Sequence, residues 1–387
     1  MEKIFCKVSE CIDKKTDKYL KFLEDICNFE TNSHDKDDIN KMVDFILEHE
    51  KENNYKVIRK PFEKSGDVVC VDYSDNAEKN IAISAHMDTV YEKGVFGYPT
   101  IRKDDTYIYG PGVSDCKGGI AVGFLAMSAL KECGFDTANI RMLLQSDEEV
   151  NSSLSDKGTI NYICEMAKDS IAFLNLESAR KGGMVVTRKG IIRTKFEITG
   201  KAVHSKDINE GINAINEAAF KIMEIAKAEL PETIGINCGM INGGTAANIV
   251  PDKCSFIVEA RICKESEYDD VISFLKGIAQ KTFVKGTKTE FTVQNKRVPM
   301  ELNERNKKLF DRVNEISKDY GFGTLEMLFS PGGSDAADVT AAGIPALDSF
   351  GILGGNYHSL DEYAHIDSLN RSAKFLAATI IELAKEN

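Results

Sequence analysis

The chain lacks any apolar run approaching the roughly 18 residues that a membrane-spanning helix needs, so no transmembrane segment is expected. It opens Met-Glu-Lys and continues into a charged amphipathic stretch, without the apolar core of a secretory signal. Positive charge is in deficit: 49 lysines and arginines stand against 61 aspartates and glutamates, a formal net charge of −12. That balance argues against nucleic acid and anionic membrane as partners, both of which are bound through an excess of cations. None of the ten cysteines stands in a C-x-x-C pair. The pattern suits a cytoplasmic protein with reduced thiols, most of them small core residues. Phosphate loops are missing too. In "GPGVSDCKGG" (110–119) Asp115 occupies the place of the third glycine of G-x-G-x-x-G, and no G-x-x-x-x-G-K-[ST] occurs.

What remains is an ordinary globular composition, 42% hydrophobic and 28% charged, over 387 residues, enough for two or three domains. Apolar residues recur at helical spacing through 14–50, and strands are expected at 57–58, 67–71 and 81–84. A glycine-opened helix over 120–130 precedes strands at 140–145 and 171–176. From about 189 the order becomes strand 191–199, helix 213–230, strands 235–241 and 255–262, helix 268–281, strand 290–295. That is the split β-α-β-β-α-β arrangement. The earlier style returns with a helix at 306–320, a strand at 344–348 and a helix at 373–385. The expected fold is α/β: a discontinuous domain with a largely parallel mixed sheet flanked by helices, carrying an inserted ferredoxin-like α+β domain. Its boundaries are 1–188, then 189–296 for the insertion, then 297–387.

Five short stretches carry chemistry. In "SAHMDTV" (84–90), His86 and Asp88 stand two apart beyond an apolar strand, spaced to project to one side. Strand ends of this kind hold ligands in open α/β sheets. The loop 110–119 delivers Asp115 just before a helix, "QSDEE" ends the 140–145 strand, "NLE" places Glu177, and "GGNYHS" supplies His358. Taken singly each has a plain structural reading: a solvated loop, a helix N-cap, a charged turn. Together His86, Asp115, Glu149, Glu177 and His358 make two imidazoles and three carboxylates, which suits a pair of zinc-like divalent ions with one carboxylate bridging. Zinc, cobalt and manganese all fit such a set. Asp88 then orients His86, and Glu148 is left beside the ions as a general base.

The ensemble "HMDT", "GPGVSDCKGG", "SDEE", "NLES" and "YHSLDEY" resembles the cocatalytic zinc peptidases, the M20 peptidase family of glutamate carboxypeptidase, aminoacylase, acetylornithine deacetylase, succinyl-diaminopimelate desuccinylase and aminotripeptidase. The resemblance runs from about residue 15 to the C-terminus. It implies that His86, Glu177 and Asp115 hold one ion while Glu149, His358 and the same Asp115 hold the other. It also implies a cis peptide after Asp115. In the insertion, "KAVHS" resembles the motif around a lid histidine, which assigns His204 to the tetrahedral intermediate, in dimeric members across the dimer. The usual proline is missing from "HSKDINEGINA". "GGTAANIVPD" implies a substrate contact for Asn248, "VEARI" for Arg261 and "KRVPM" for Arg297. "SPGGSDAAD" (330–338) implies a loop lining the cleft, with the backbone of Gly332 and Gly333 near substrate. The arginines are open to two readings, a clamp on a substrate carboxylate or ion pairs within the sheet.

The resemblance implies a metal-dependent amide hydrolase acting on a small peptide or an N-acyl amino acid. Glu177, where several aminopeptidases of the family carry aspartate, favours a carboxypeptidase- or deacylase-like substrate. An aminotripeptidase or dipeptidase, and a non-catalytic peptide- or metabolite-binding relative, are the alternatives. A homodimer through the inserted domain is also implied.

Overall fold

The computed structural model describes residues 2–74 and 78–386. Two compact units emerge: residues 1–187, 302–330 and 334–387 form one, and 188–301 with 331–333 form the other.

In the first unit, helix α1 (Glu2–Cys27) buries Val8, Ile12, Tyr19, Phe22, Leu23 and Ile26 along one face. It begins well upstream of residue 14 because that stripe already starts at Val8. The expected helical region 14–50 is broken at 28–35, and α2 (Lys36–Glu50) restarts where the Asp35 side chain accepts the backbone N–H of Asp38. Tertiary pairing explains the break. Thr31 Oγ1 donates to the Met87 carbonyl at 2.6 Å, and Asn32 bridges to Thr89.

The sheet contains β1 (Lys56–Lys60), β2 (Val68–Asp72), β3 (Asn80–His86), β4 (Asn139–Gln145) and β5 (Ser170–Asn175), in the order β1-β2-β4-β3-β5, with Ala346–Leu347 beyond β5. β3, β4, β5 and Ala346–Leu347 run parallel, while β1 and β2 are antiparallel to their neighbours. Register matters more than order here. His86 lies opposite Gln145, and Ser84 opposite Asn175. Three parallel strands therefore end at one edge, and the loops leaving it carry Asp88, Glu148, Glu149 and Glu177. Helix α3 (Lys117–Glu132) is buried almost throughout. A Cβ on Gly119 would stand 2.1 Å from the Leu176 carbonyl oxygen. Gly119 thus lets the helix pass close to the chain leaving β5. Helix α4 (Gly158–Ala167) packs its apolar side near Phe62 and Phe173.

The second unit has helices α5 (Ala214–Ala226) and α6 (Glu267–Gln280) on a sheet of β6 (Gly190–Thr199), β7 (Gly235–Gly243), β8 (Lys253–Ile262) and β9 (Lys288–Arg297). The order is β7-β8-β6-β9, all antiparallel. β6 alternates buried and exposed residues along its length, as a half-buried strand should. Its inward Ile192, Phe196 and Ile198 meet Phe256, Val258 and Leu275 in one core. α5 stops at Ala226, short of the expected 230, ahead of Pro231. Between the helices the ammonium of Lys221, fully buried, pairs with fully buried Glu217 at 3.1 Å and donates to the carbonyls of Ile278 and Ala279.

The chain then returns to the first unit with α7 (Glu304–Asp319), α8 (Asp335–Ala341) and α9 (Ile366–Leu383). The segment 330–338, expected as a loop, turns helical from Asp335 because the Ser334 hydroxyl caps it, accepting the backbone N–H of Ala336 at 3.2 Å. A small sheet absent from the sequence reading joins Gly354–Gly355, Tyr363–His365, Tyr107–Tyr109 and Arg102–Lys103.

Candidate metal centre

His86 closes β3 and is 2% exposed. Its Nδ1 faces Asp88, 3.0 Å from the backbone oxygen and 3.4 Å from Oδ1. Its Nε2 faces the other way, 3.0 Å from Asp115 Oδ1 and 3.7 Å from Glu177 Oε1. His358 makes the complementary set: Nε2 lies 3.1 Å from Glu149 Oε2 and 3.5 Å from Asp115 Oδ2. Asp115 is thus shared between two histidines, one oxygen to each.

The fully buried Asp88 carboxylate does more than orient an imidazole. It accepts the Ser33 hydroxyl at 2.6 Å and the backbone N–H groups of Glu148 and Glu149, each at 3.1 Å. One side chain therefore fixes both a ligand ring and the loop bearing the next two acids. Asp147, the first acid of "DEE", points elsewhere: it accepts the Thr159 hydroxyl at 2.5 Å and the Ser155 N–H at 3.1 Å, bracing the turn.

Electrostatics mark this cluster as short of positive charge. Burial first, then the Asp115 charge, pushes Glu149 up to about 8 against the pull of His358. The same two causes raise Glu177 well above the carboxylate range. Burial would raise Asp115 too, but hydrogen bonds from His358 and His86 hold it well below. Asp115 and Glu149 in turn lift His358 to about 11. Burial opposes protonation of His86, yet Asp115 and Asp88 carry it well above an ordinary imidazole.

The residues present fit a pair of divalent cations. Donor atoms on one tetrahedral zinc, each bonded at about 2.1 Å, lie about 3.4 Å from one another. The nitrogen–oxygen separations here span 3.0 to 3.7 Å. Repelling buried carboxylates are what a cation relieves. Cys116 Sγ also comes within reach of His86 and Glu177. Burial keeps that thiol protonated, and it donates to the Leu176 carbonyl instead. The Asp115–Cys116 peptide is cis, as the resemblance implied.

Glu362 was missed in the sequence, although it stands inside "YHSLDEY". It is 1% exposed, and its Oε1 accepts the backbone N–H of Ser114 at 2.9 Å and of Asp115 at 3.0 Å. Its Oε2 accepts Gly112 N–H at 3.1 Å and the Tyr91 hydroxyl at 2.8 Å. Tyr363 pairs with Tyr109 in the small sheet, which brings Glu362 against the loop that delivers Asp115.

The remaining expected residues belong to the second unit. His204 is exposed on the short strand Val203–His204, with Nδ1 accepting Lys206 N–H at 3.2 Å. The prolineless segment after it forms a 3₁₀ turn, Ser205–Glu210. Asn248 is exposed, and its carbonyl accepts Ser205 N–H. Arg261 sits in an ion pair with Glu259 at 2.7 Å and donates to the Pro331 carbonyl at 3.2 Å. Arg297 is buried against Gly333, where a Cβ would stand 2.6 Å from Arg297 Cδ. Arg188, which the sequence reading overlooked, donates to the carbonyls of Gly332 and Gly333 at 3.2 and 3.0 Å.

Comparison with known proteins shows the family and the fold. Residues 82–382 match the model of peptidase family M20/M25/M40. Carboxypeptidase G2 of Pseudomonas sp. (strain RS-16) is 30% identical over 376 residues, covering 94% of this chain and 89% of that protein. A tripeptidase structure from Staphylococcus aureus superposes with a TM-score of 0.78 at 22% identity, over 96% of this chain and 99% of the other. The Bacillus subtilis YXEP protein, described as a dinuclear metal binding peptidase, gives 0.69 at 17% identity over 95% and 99%.

Proposed function

This chain belongs to peptidase family M20/M25/M40, and on that premise we propose that it is a carboxypeptidase- or deacylase-like member, cleaving the amide next to a free carboxylate in a small peptide or N-acyl amino acid. It is a metallohydrolase acting on peptide or amide bonds. What supports the detailed reading is the sharing of Asp115, with Oδ1 at 3.0 Å from His86 and Oδ2 at 3.5 Å from His358.

His86, Asp115 and Glu177 would hold one divalent cation, and His358, Glu149 and Asp115 the other, with zinc the proposed metal. Two such ions, when bound, make water more acidic and draw electron density from the scissile carbonyl. Glu148, on the loop held by Asp88, accepts a proton from the attacking water on its carboxylate and returns it to the leaving amine. Asp88 keeps the His86 ring turned so that Nε2 faces the acids. His204 is assigned the oxyanion and Asn248, Arg261, Arg297, Gly332 and Gly333 the substrate, on the likeness of their motifs.

The second unit also offers a face for a second copy of the chain. β7 is an edge strand of its sheet, and Met240 and Ile241 on it are 58% and 52% exposed. Phe220 and Met223 of α5 are also exposed. A homodimer through this unit is proposed, and light scattering checks it. Among the described residues no helix is long and apolar enough to cross a membrane. A cytoplasmic location is proposed from the acidic charge and free thiols.

The deciding experiment is a hydrolysis panel on zinc-loaded and chelated protein, setting N-acyl amino acids against tripeptides with free N-termini. Metal-dependent cleavage of the acyl compounds is expected. Activity confined to the tripeptides would reverse the substrate assignment.

A further inference from the structure

Of the five candidate ligands, His358 is the least held by packing. Its side chain is 54% exposed, whereas none of the other four exceeds 17%. Its backbone is left-handed, at φ +60°, and so is that of Asn356, at φ +57°. Residues other than glycine keep such angles only where their surroundings enforce them. Something other than burial must therefore aim this imidazole at Asp115 and Glu149.

The preceding residue supplies it. The Tyr357 hydroxyl accepts a guanidinium N–H of Arg180 at 2.7 Å and donates to the Gly354 carbonyl at 3.1 Å. The guanidinium carbon also lies 5.0 Å from the centre of the Tyr357 ring. A phenol has one proton to give, so the two bonds together fix the direction of the O–H as well as the place of the ring.

Both ends of this link reach another ligand-bearing loop. Arg180 follows Glu177 on a segment where the Ala179 N–H donates to the Ile352 carbonyl at 2.9 Å. Gly354 packs on the residue before Asp115, since a Cβ there would stand 2.4 Å from Ser114 Cβ. Ser178, next to Glu177 and buried, closes the circuit. Its hydroxyl donates to the Ser114 carbonyl at 2.8 Å and stands beside that of Tyr357. Ser114, Ser178 and Tyr357, the chain neighbours of Asp115, Glu177 and His358, are thus joined in one polar network. Beyond His358, the Ser359 carbonyl faces the Tyr91 hydroxyl at 2.9 Å. That hydroxyl also faces Glu362 at 2.8 Å and has one proton for the two acceptors. The firm anchor of the loop is Tyr357.

We propose that Tyr357 is a positioning residue of the metal centre: its hydroxyl holds the His358 imidazole toward Asp115 and Glu149, and so sets the affinity of one of the two cations. This rests on the two-cation reading of the centre.

The test is calorimetric titration of zinc into the chelated full chain, wild type against Tyr357→Phe. That substitution removes one oxygen and leaves the ring beside Arg180. The wild type is expected to show two binding steps, and His358→Ala to lose one of them. Tyr357→Phe should weaken that same step about ten-fold, the low end for groups that orient a ligand, and leave the other step unchanged. Arg180→Met, which takes the donor from the hydroxyl, should weaken the same step by a smaller factor. Arg180→Lys, which still offers an N–H, should restore it.

A residue that only supports the fold would lower the unfolding temperature of the metal-free protein and weaken both steps alike, and that result overturns the assignment. So does wild-type affinity at both steps in Tyr357→Phe. A wild-type protein that takes up no second cation sinks the two-cation reading, and this inference with it; two wild-type steps with an indifferent Tyr357→Phe sink this inference alone.

Discussion

Glu362 accepts the backbone N–H of Asp115 at 3.0 Å, so the carboxylate shared by His86 and His358 in the candidate metal centre is held through its main chain by a second buried carboxylate. The same carboxylate gathers the N–H groups of Gly112 and Ser114. A loop that must deliver one side chain to two histidines is thereby tied at three backbone positions.

Glu362→Gln is expected to loosen that loop. The amide replaces one acceptor with an NH₂ group facing donors. Metal affinity should drop about 10–100-fold, as for other groups that orient ligands. Titration of the chelated variant with zinc reads this directly, and an unchanged affinity would remove Glu362 from the site.

Glu148→Ala is expected to keep both cations, because neither set of ligand contacts uses its side chain. Turnover should fall by about 10²–10⁴-fold, the usual contribution of a general acid–base group. Metal analysis with a single-substrate rate measurement separates the two effects. Near-normal turnover in the metal-loaded variant would refute the role.

Metal uptake should release protons. Asp115 and Glu149 raise His358 to about 11, and burial raises Glu149 to about 8 against the pull of His358, so in the metal-free protein this pair holds at least one proton at neutral pH. A cation must displace it, so apparent affinity should weaken as pH falls and strengthen as pH rises through about 8. Calorimetric titration in two buffers of different ionisation heat measures the number released. A value near zero would contradict the charge arrangement.

Lys221→Met should destabilise the second unit without touching the metal centre. The substitution leaves fully buried Glu217 without its cation and strips the donors from the Ile278 and Ala279 carbonyls. Breaking a buried pair on one side costs about 3–5 kcal/mol. Denaturant unfolding should show that loss, with metal content unchanged in the folded protein.

Much of this molecule was legible in its sequence, because the signals were local and periodic. Alternation along 191–199, the helical stripe of α7 and the β-α-β-β-α-β order depend on nearest neighbours, and each reappears within a few residues of its expected bounds. The candidate ligands were legible only as a set: singly each histidine or acid beyond a strand has a plain structural reading, and the spaced combination of two imidazoles and three carboxylates pointed to chemistry. Tertiary structure alone decided the rest. It broke the helical run at 28–35 so that Ser33 could reach Asp88, 55 residues away. It set the flush parallel register that brings His86, Glu149 and Glu177 to one edge. It buried Glu362 under the Asp115 loop and left the Ser349 hydroxyl buried without a partner. Helix and strand periodicity are written in neighbouring residues, whereas the burial and partners of a single polar side chain depend on segments hundreds of residues away, and no local pattern encodes them.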